Sequence, residues 1–371
     1  MIYKLKDLVK IKYGKNQKKV EDINGKIPIL GTGGIMGYSK ESLYNKPSVL
    51  IGRKGTIDKI KYINEPFWTI DTLFYTEINE NIVLPQYLYY KLLLIDFKNY
   101  NEGTTIPSLR TETLYEIELD IDELDIQYKI IEILSKFERK IDLNNQTNDN
   151  LSEQLKKIFN NKFFNRIQDN DCKEFKKYIL YDVLDVIDNR GKTPKLVEYS
   201  EYPIIDVKAI SGENRIIDYK QCQKYVDEET YNTFFRSGHP KINDILISTV
   251  GSLAEMKIYK ENKGTIAQNV VALRCKEDYP MYIYQYLKAI KSDLVSYNIG
   301  SVQPSIKVTQ FMKHSIYIPK ENEVYEFENI AQTYTDKMFN ISKENEILEK
   351  VRDTLLPKLM NGEIDLDKIE I

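Results

Sequence analysis

Four glycines in GTGGIMGY, at Gly31, Gly33, Gly34 and Gly37, are the residues whose type and spacing come nearest to nucleotide chemistry. Glycine lets a backbone close on a pyrophosphate, but the helix that follows must supply the dipole and free N–H groups. The run after them, YSKESLYNKP, is a poor helix, so the element that would position a phosphate is missing. Gly191-Lys192-Thr193 carries the end of a phosphate loop, yet Val186 stands where its first glycine belongs. Two distant histidines (His239, His314) and three scattered cysteines (Cys172, Cys222, Cys275) without CxxC spacing give neither a zinc site nor a disulfide framework. Such cysteine usage fits a reducing cytoplasm. Zinc-protease, zinc-deaminase, GxSxG and base amino-methylation patterns are also missing. The expectation is a binder with no catalytic residue, no metal and no cofactor of its own. A stand-alone nucleotide-binding enzyme using the Gly31–Gly37 loop stays open as the alternative of a different class, as does a scaffold built for protein assembly alone.

Behind these residues lies a repeat. GTTIPSLR (103–110) and GSVQPSIK (300–307) match in their glycine, Pro-Ser pair, aliphatic residue and cation, 197 residues apart. SVLIGRKGTI (48–57) lies over NDILISTVGSL (243–253), and Thr69-Ile70 lies over Thr265-Ile266 at offset 196. So long a period implies two domain-sized copies rather than a solenoid.

The segments after each copy carry heptads. Ile130, Leu134, Phe137, Ile141, Asn144, Asn148, Leu151, Leu155 and Ile158 recur in steps of four and three. Adding 197 gives Phe327, Ala331, Tyr334, Met338, Ile341, Asn345, Leu348, Arg352 and Leu355, the same register. That spacing predicts a helix–helix seam, with Asn148 and Asn345 at equivalent places where a polar residue fixes register. An amphipathic helix lying on its own domain's core is the plainer reading of the same pattern.

The expected organisation is mixed α/β (α+β): a first domain over 1–124, a long helix over 125–164, a linker over 165–177, a second domain over 178–320, a second long helix over 321–361 and a tail over 362–371. Gly362 is placed to stop the last helix. The chain of 371 residues carries a net charge of −3 that hides a segregation. Residues 1–62 hold 14 Lys/Arg against 5 Asp/Glu, while 112–153 hold 4 against 12 and 321–371 hold 6 against 13. One surface suited to a polyanion and another suited to something else follow from this, although charge runs also serve as solvated faces. No apolar run approaches the roughly 20 residues of a membrane span.

GSVQPSIK, the helix entry IPKENEVYEFENIA (318–331) and LLPKLMNGEI (355–364) resemble the specificity subunit of Type I restriction–modification systems, and the likeness covers essentially the whole chain. KIFNNKFF (157–164) departs from the pattern where TLLPKLMN (354–361) keeps it. The resemblance implies two tandem target-recognition domains alternating with two long helices that pair as an antiparallel coiled coil. Each domain would read one half of an asymmetric, bipartite sequence in double-stranded DNA. The helices would dock two modification subunits, which use S-adenosylmethionine to methylate adenine, and ATP/Mg-driven restriction subunits would join them. A Type IIB-like enzyme, whose partner both methylates and cuts, is a close variant. Residues 130–158 as helix span about 43 Å, against about 34 Å between successive major grooves on one face of DNA.

If the two halves read different sequences, shared features should be structural and readers should lie where the halves differ. Gly103, Pro107, Ser108, Gly300, Pro304 and Ser305 are then fold-forming. Arg110 and Lys307 suit phosphate neutralisation, or are merely solvated cations. Candidate DNA contacts in the first half are Lys15, Asn16, Gln17 and Lys18 in KYGKNQKK, Thr32, Arg53, Lys54, Thr104 and Thr105. In the second half they are Arg190, Lys192 and Thr193 in NRGKTPK, Lys208, Asn214, Arg215, Arg236, Ser301 and Gln303. Arg suits guanine, and Asn or Gln suits adenine. Trp68 fits either the core or a platform near DNA.

Overall fold

The computed structural model describes residues 1–169 and 173–366; Cys172 and the end of the expected tail lie outside them. The chain divides into two compact units, Met1–Lys140 with the chain from Leu348 onward, and Ile141–Ile347.

In the first unit the strands are β1 (Ile2–Lys4), β2 (Val9–Tyr13), β3 (Ile27–Gly31), β4 (Gly34–Ser39), β5 (Ser48–Gly52), β6 (Lys61–Ile63), β7 (Trp68–Thr69), β8 (Leu73–Ile78) and β9 (Glu118–Asp120). They form an antiparallel sheet ordered β2-β8-β5-β6, a sheet ordered β4-β3-β7 with β3 and β7 parallel, and the pair β1-β9. Val9 and Ile11 are buried while Lys10 and Lys12 face outward, the alternation of a half-covered strand. In β5 every residue of SVLIG is buried, as a strand covered on both faces requires. The helix Pro85–Leu93 opens with Pro at its start, where the missing N–H costs nothing.

The second unit repeats this plan with β10 (Lys176–Ile179), β11 (Leu184–Ile187), β12 (Tyr202–Ile205), β13 (Tyr225–Val226), β14 (Ile245–Ser248), β15 (Met256–Ile258), β16 (Thr265–Ile266), β17 (Val270–Cys275) and β18 (Ser315–Ile318). Its sheets run β11-β17-β14-β15, β13-β12-β16 and β10-β18, strand for strand the order of the first unit, and β12 pairs with β16 in parallel. One expected alignment shifts by a residue. Parallel pairing sets Trp68 opposite Ile29 and Thr265 opposite Ile204, so Trp68-Thr69, not Thr69-Ile70, matches Thr265-Ile266.

The long helices are Leu124–Phe159 and Glu321–Met360. The first continues through a π-type turn, Asn160–Phe164, into Asn165–Gln168, so the expected linker starts later than residue 165. Gly362, at φ 69°, ends the second helix; its N–H donates to Leu359 O and that of Glu363 to Lys358 O, a Schellman-type stop.

Within the second unit the helices run antiparallel. Asn144 bonds Asn345, Gln154 bonds Tyr334, Lys162 bonds Glu326 and Arg166 bonds Glu323, so partner numbers fall as the first rises. The expected seam faces inward: Ile130, Leu134, Ile141, Asn144, Asn148 and Leu155 are buried, as are Phe327, Ala331, Met338 and Asn345. Phe137, Leu151, Ile158, Tyr334, Ile341, Leu348, Arg352 and Leu355 are half-buried.

The helix end KIFNNKFF departs from TLLPKLMN in sequence but not in role. Phe159 and Phe163 pack on Tyr282 and Phe327 in the second unit's core. Leu356, Leu359 and Met360 join Ile130, Leu134 and Tyr87 in the first unit's core.

Candidate nucleic-acid interface

In the first unit the four-stranded sheet brings three chain segments to one edge. Tyr13 lies opposite Phe74, and Gly52 opposite Leu73, so the ends of β2 and β5 meet the start of β8. Lys15 donates its N–H to Thr69 O, and its own carbonyl accepts from Trp68 Nε1. Arg53 lies over the Tyr13 ring at 5.1 Å and donates to Asp71 O. The segment 101–110 closes the rim: Gly55 N–H donates to Pro107 O, and Leu109 N–H to Arg53 O. A basic, aromatic and amide-rich edge results, the composition that holds phosphates and meets base edges.

The second unit builds the same rim on the same backbone. Gly251 N–H donates to Pro304 O and Ile306 N–H to Thr249 O. Gly55 and Gly251 both take the left-handed φ, 84° and 87°, that these bonds need. Asn101 Oδ1 accepts from Gly103 and Ser108 N–H, and Asn298 Oδ1 from Gly300 and Ser305 N–H. A Cβ on Gly103 or Gly300 would lie 1.9 Å from a backbone oxygen, which explains why both repeats keep glycine there.

Around the loop 189–195 the second rim is concave. A cleft of about 290 Å³ is lined by Lys192, Thr193, Lys224, Phe235 and Gln268 among others. Gln268 Nε2 donates to Thr193 Oγ1 at 3.1 Å. Beside it, burial works to raise the Asp188 carboxyl, but the Arg190 guanidinium and N–H hold it below its ordinary value. His239 stacks on Tyr231 at 3.7 Å, and burial lowers its pKa, leaving a neutral ring at pH 7.

The nominated residues therefore separate. Lys15, Asn16, Lys18, Lys54, Thr104, Thr105 and Arg110 are exposed and Gln17 and Arg53 half-buried on or near the first rim. Arg110 forms an ion pair with Glu102 at 3.0 Å, and Asn16 Oδ1 caps Lys18 N–H. Lys192, Thr193, Ser301, Gln303 and Lys307 are exposed on the second rim. Thr32 sits at the tip of the β3–β4 hairpin, where Gly31 pairs with Gly34. The glycine-rich stretch is thus strand–turn–strand with no helix behind it, and the nucleotide-loop alternative loses its basis.

Arg215 is the clear correction. It is 1% exposed, with its guanidinium donating to Thr335 Oγ1 and Gln285 Oε1 and lying 4.6 Å over the Tyr284 ring. It fastens the domain to the second long helix and is closed off from the surface. Asn214 caps Ile216 N–H, a turn-forming role, while Lys208 and Arg236 are exposed. Trp68 belongs to the core. Lys224 and Gln268 join the second rim's cleft without any mark in the sequence, while Tyr13, inside KYGKNQKK, takes its place on the first rim under Arg53.

Burial pushes the Cys222 and Cys275 thiols up to about 12 and about 11, so both stay protonated at neutral pH. Among the described residues no group of three His, Cys, Asp or Glu is placed to hold a metal ion, and no helix is long and apolar enough to cross a membrane.

A family model described as the Type I restriction modification DNA specificity domain matches residues 1–153 and again 172–356, once for each copy of the repeat. The chain belongs to this Type I specificity family. It is 25% identical over 364 residues to the Type I restriction enzyme MjaIX specificity subunit of Methanocaldococcus jannaschii, covering 88% of this chain and 80% of that one. To the HindI specificity subunit of Haemophilus influenzae it is 22% identical over 372 residues, covering 78% and 79%. The crystal structure of a Type I restriction–modification S subunit from M. genitalium superimposes with a TM-score of 0.57 at 17% identity, covering 97% of this chain and 95% of that one. The tandem mixed α/β fold with its two long helices is therefore that of S subunits.

Proposed function

We propose that this specificity subunit reads an asymmetric, bipartite DNA sequence, one half with each rim, and catalyses nothing itself. Two modification subunits dock on the long helices and carry the S-adenosylmethionine that methylates adenine. Restriction subunits using ATP and Mg join the same complex. The observation that carries this reading is the duplicated rim: one backbone, fixed by the same hydrogen bonds, presents different side chains in the two units. Identical scaffolds with divergent polar tips suit two different half-sites. The basic residues Lys15, Lys18, Arg53 and Lys54 suit phosphates.

Reconstitution tests it. The purified chain alone should methylate no DNA, and with its cognate modification subunit it should confer adenine methylation at one bipartite sequence. Methylation by the lone chain, or sequence-independent methylation by the pair, would refute the reading.

A further inference from the structure

The β3–β4 hairpin leaves three large apolar side chains in water: Ile35 is 60% exposed, Met36 55% and Tyr38 46%. β4 is the outer strand of its sheet, and its pairing slips where Ile29 opposes Gly37 but Leu30 opposes Ile35. Met36 is the residue bulged out by that slip, and its sulfur lies 2.5 Å from where a Cβ on Gly31 would stand. Single apolar residues on a surface are ordinary, but a cluster at one hairpin tip marks a contact.

The tip is also thin, because four of the eight residues in GTGGIMGY are glycine. Gly34 needs glycine for its φ of 129°, and Gly31 and Gly37 leave room for the Met36 and Glu21 side chains. Gly33 has no such reason: its φ is not positive, and a Cβ there would meet nothing within 4 Å. Glycine without an internal cause suits a backbone that something outside approaches closely.

This tip adjoins the basic edge. Leu30 O accepts from Ile70 N–H, while Thr69 O accepts from Lys15 N–H and Asp71 O from the Arg53 guanidinium. Cations beside a narrow apolar tip match a minor groove, about 6 Å wide between its phosphates. Ile and Met are side chains that wedge a base step open there. The second unit joins β12 to β13 differently, through residues 206–224, in which Ala209, Ile210, Ile216, Ile217 and Cys222 are buried.

We infer that the β3–β4 hairpin enters the DNA minor groove at one half-site and sets Ile35 and Met36 against a base step, unstacking it and bending the duplex. This rests on the bipartite reading above and adds a distortion that only the first recognition domain makes.

The test uses the full chain with its modification subunit on a duplex carrying the motif that methylome sequencing assigns to the chain. 2-Aminopurine is placed in turn along both half-sites, away from the methylated adenines, which the modification subunit itself unstacks. It should brighten at one step of one half-site, and end-to-end energy transfer should report a bend of about 20–90°. The double change Ile35→Ser with Met36→Ser should abolish both signals, with melting temperature and assembly with the modification subunit unchanged. Gly33→Val should do the same, because its side chain has room in the free protein and none in the groove. Unchanged signals in either variant would overturn the inference, and so would lost assembly, which would make the hairpin a protein contact. If no bipartite motif depends on the unaltered chain, the proposed function fails and the inference falls with it; a motif without a brightened step or a bend sinks the inference alone.

Discussion

Asn144 donates its side-chain amide to the Asn345 side-chain oxygen at 2.8 Å, across the two antiparallel helices. Asn345 passes its own amide to Asn145, and Asn144 also reaches Glu344, so together with the buried Asn148 a polar layer lies in a seam whose other buried members are apolar. Such a layer weakens packing but penalises every other register.

Asn144→Leu or Asn345→Leu alone should therefore destabilise by about 1–3 kcal/mol, because each strands its partner. The double change should recover much of that loss, giving a coupling energy of about 1 kcal/mol in a double-mutant cycle. Urea denaturation of the four proteins measures it. Additive losses would show that the two amides do not act as a unit.

Arg215 and Lys192 should respond in opposite ways. Arg215→Ala should cost about 3 kcal/mol or more, since it opens a buried cluster with Thr335, Gln285 and Tyr284. Its folded fraction should keep the wild-type salt dependence of DNA binding. Lys192→Ala should leave the melting temperature unchanged and lower the salt slope by about one. Thermal unfolding and electrophoretic shifts across a salt series separate the two; a changed slope in Arg215→Ala would return that residue to the DNA.

Glu328 gives a pH dependence. Burial pushes its carboxyl up to about 7, against the pull of the Tyr282 and Met281 N–H groups it accepts. Because the folded value lies above the ordinary one, the stabilisation is fully present below about 4.5 and is lost as pH rises through about 7. The span is worth about 3 kcal/mol. Glu328→Gln should flatten that window, read as denaturation midpoints at pH 5 and pH 8. Equal pH dependence in both proteins would assign the loss to other groups.

The long helices invite a spacing test. One heptad inserted at matching places in both adds about 10 Å. It should lengthen the gap between half-sites by about 3 base pairs while leaving the bases read unchanged. Changed bases with an unchanged gap would remove the ruler role.

The repeat was legible because backbone geometry leaves marks that few residues satisfy. Gly103 and Gly300 each abut a backbone oxygen, and Pro107 and Pro304 each accept from a left-handed glycine. The seam was legible because burial at every third or fourth residue repeats over many turns. Arg215 was not, since ENR looks like a surface turn until Thr335 arrives from 120 residues away. Nor were Gln268 and Asn269. They read as the polar start of a strand, and only folding brings the loop 189–195 against them. The alignment of β7 with β16 slipped by one because two-residue strands carry too little pattern to fix their register.

The most direct measurement is methylome sequencing of cells with and without this chain, their modification gene left intact. The account predicts one asymmetric bipartite motif, with a fixed gap, whose adenines are methylated only when the chain is present. Persistence of that motif without the chain, or no motif that depends on it, would contradict the claim that this protein chooses the sequence.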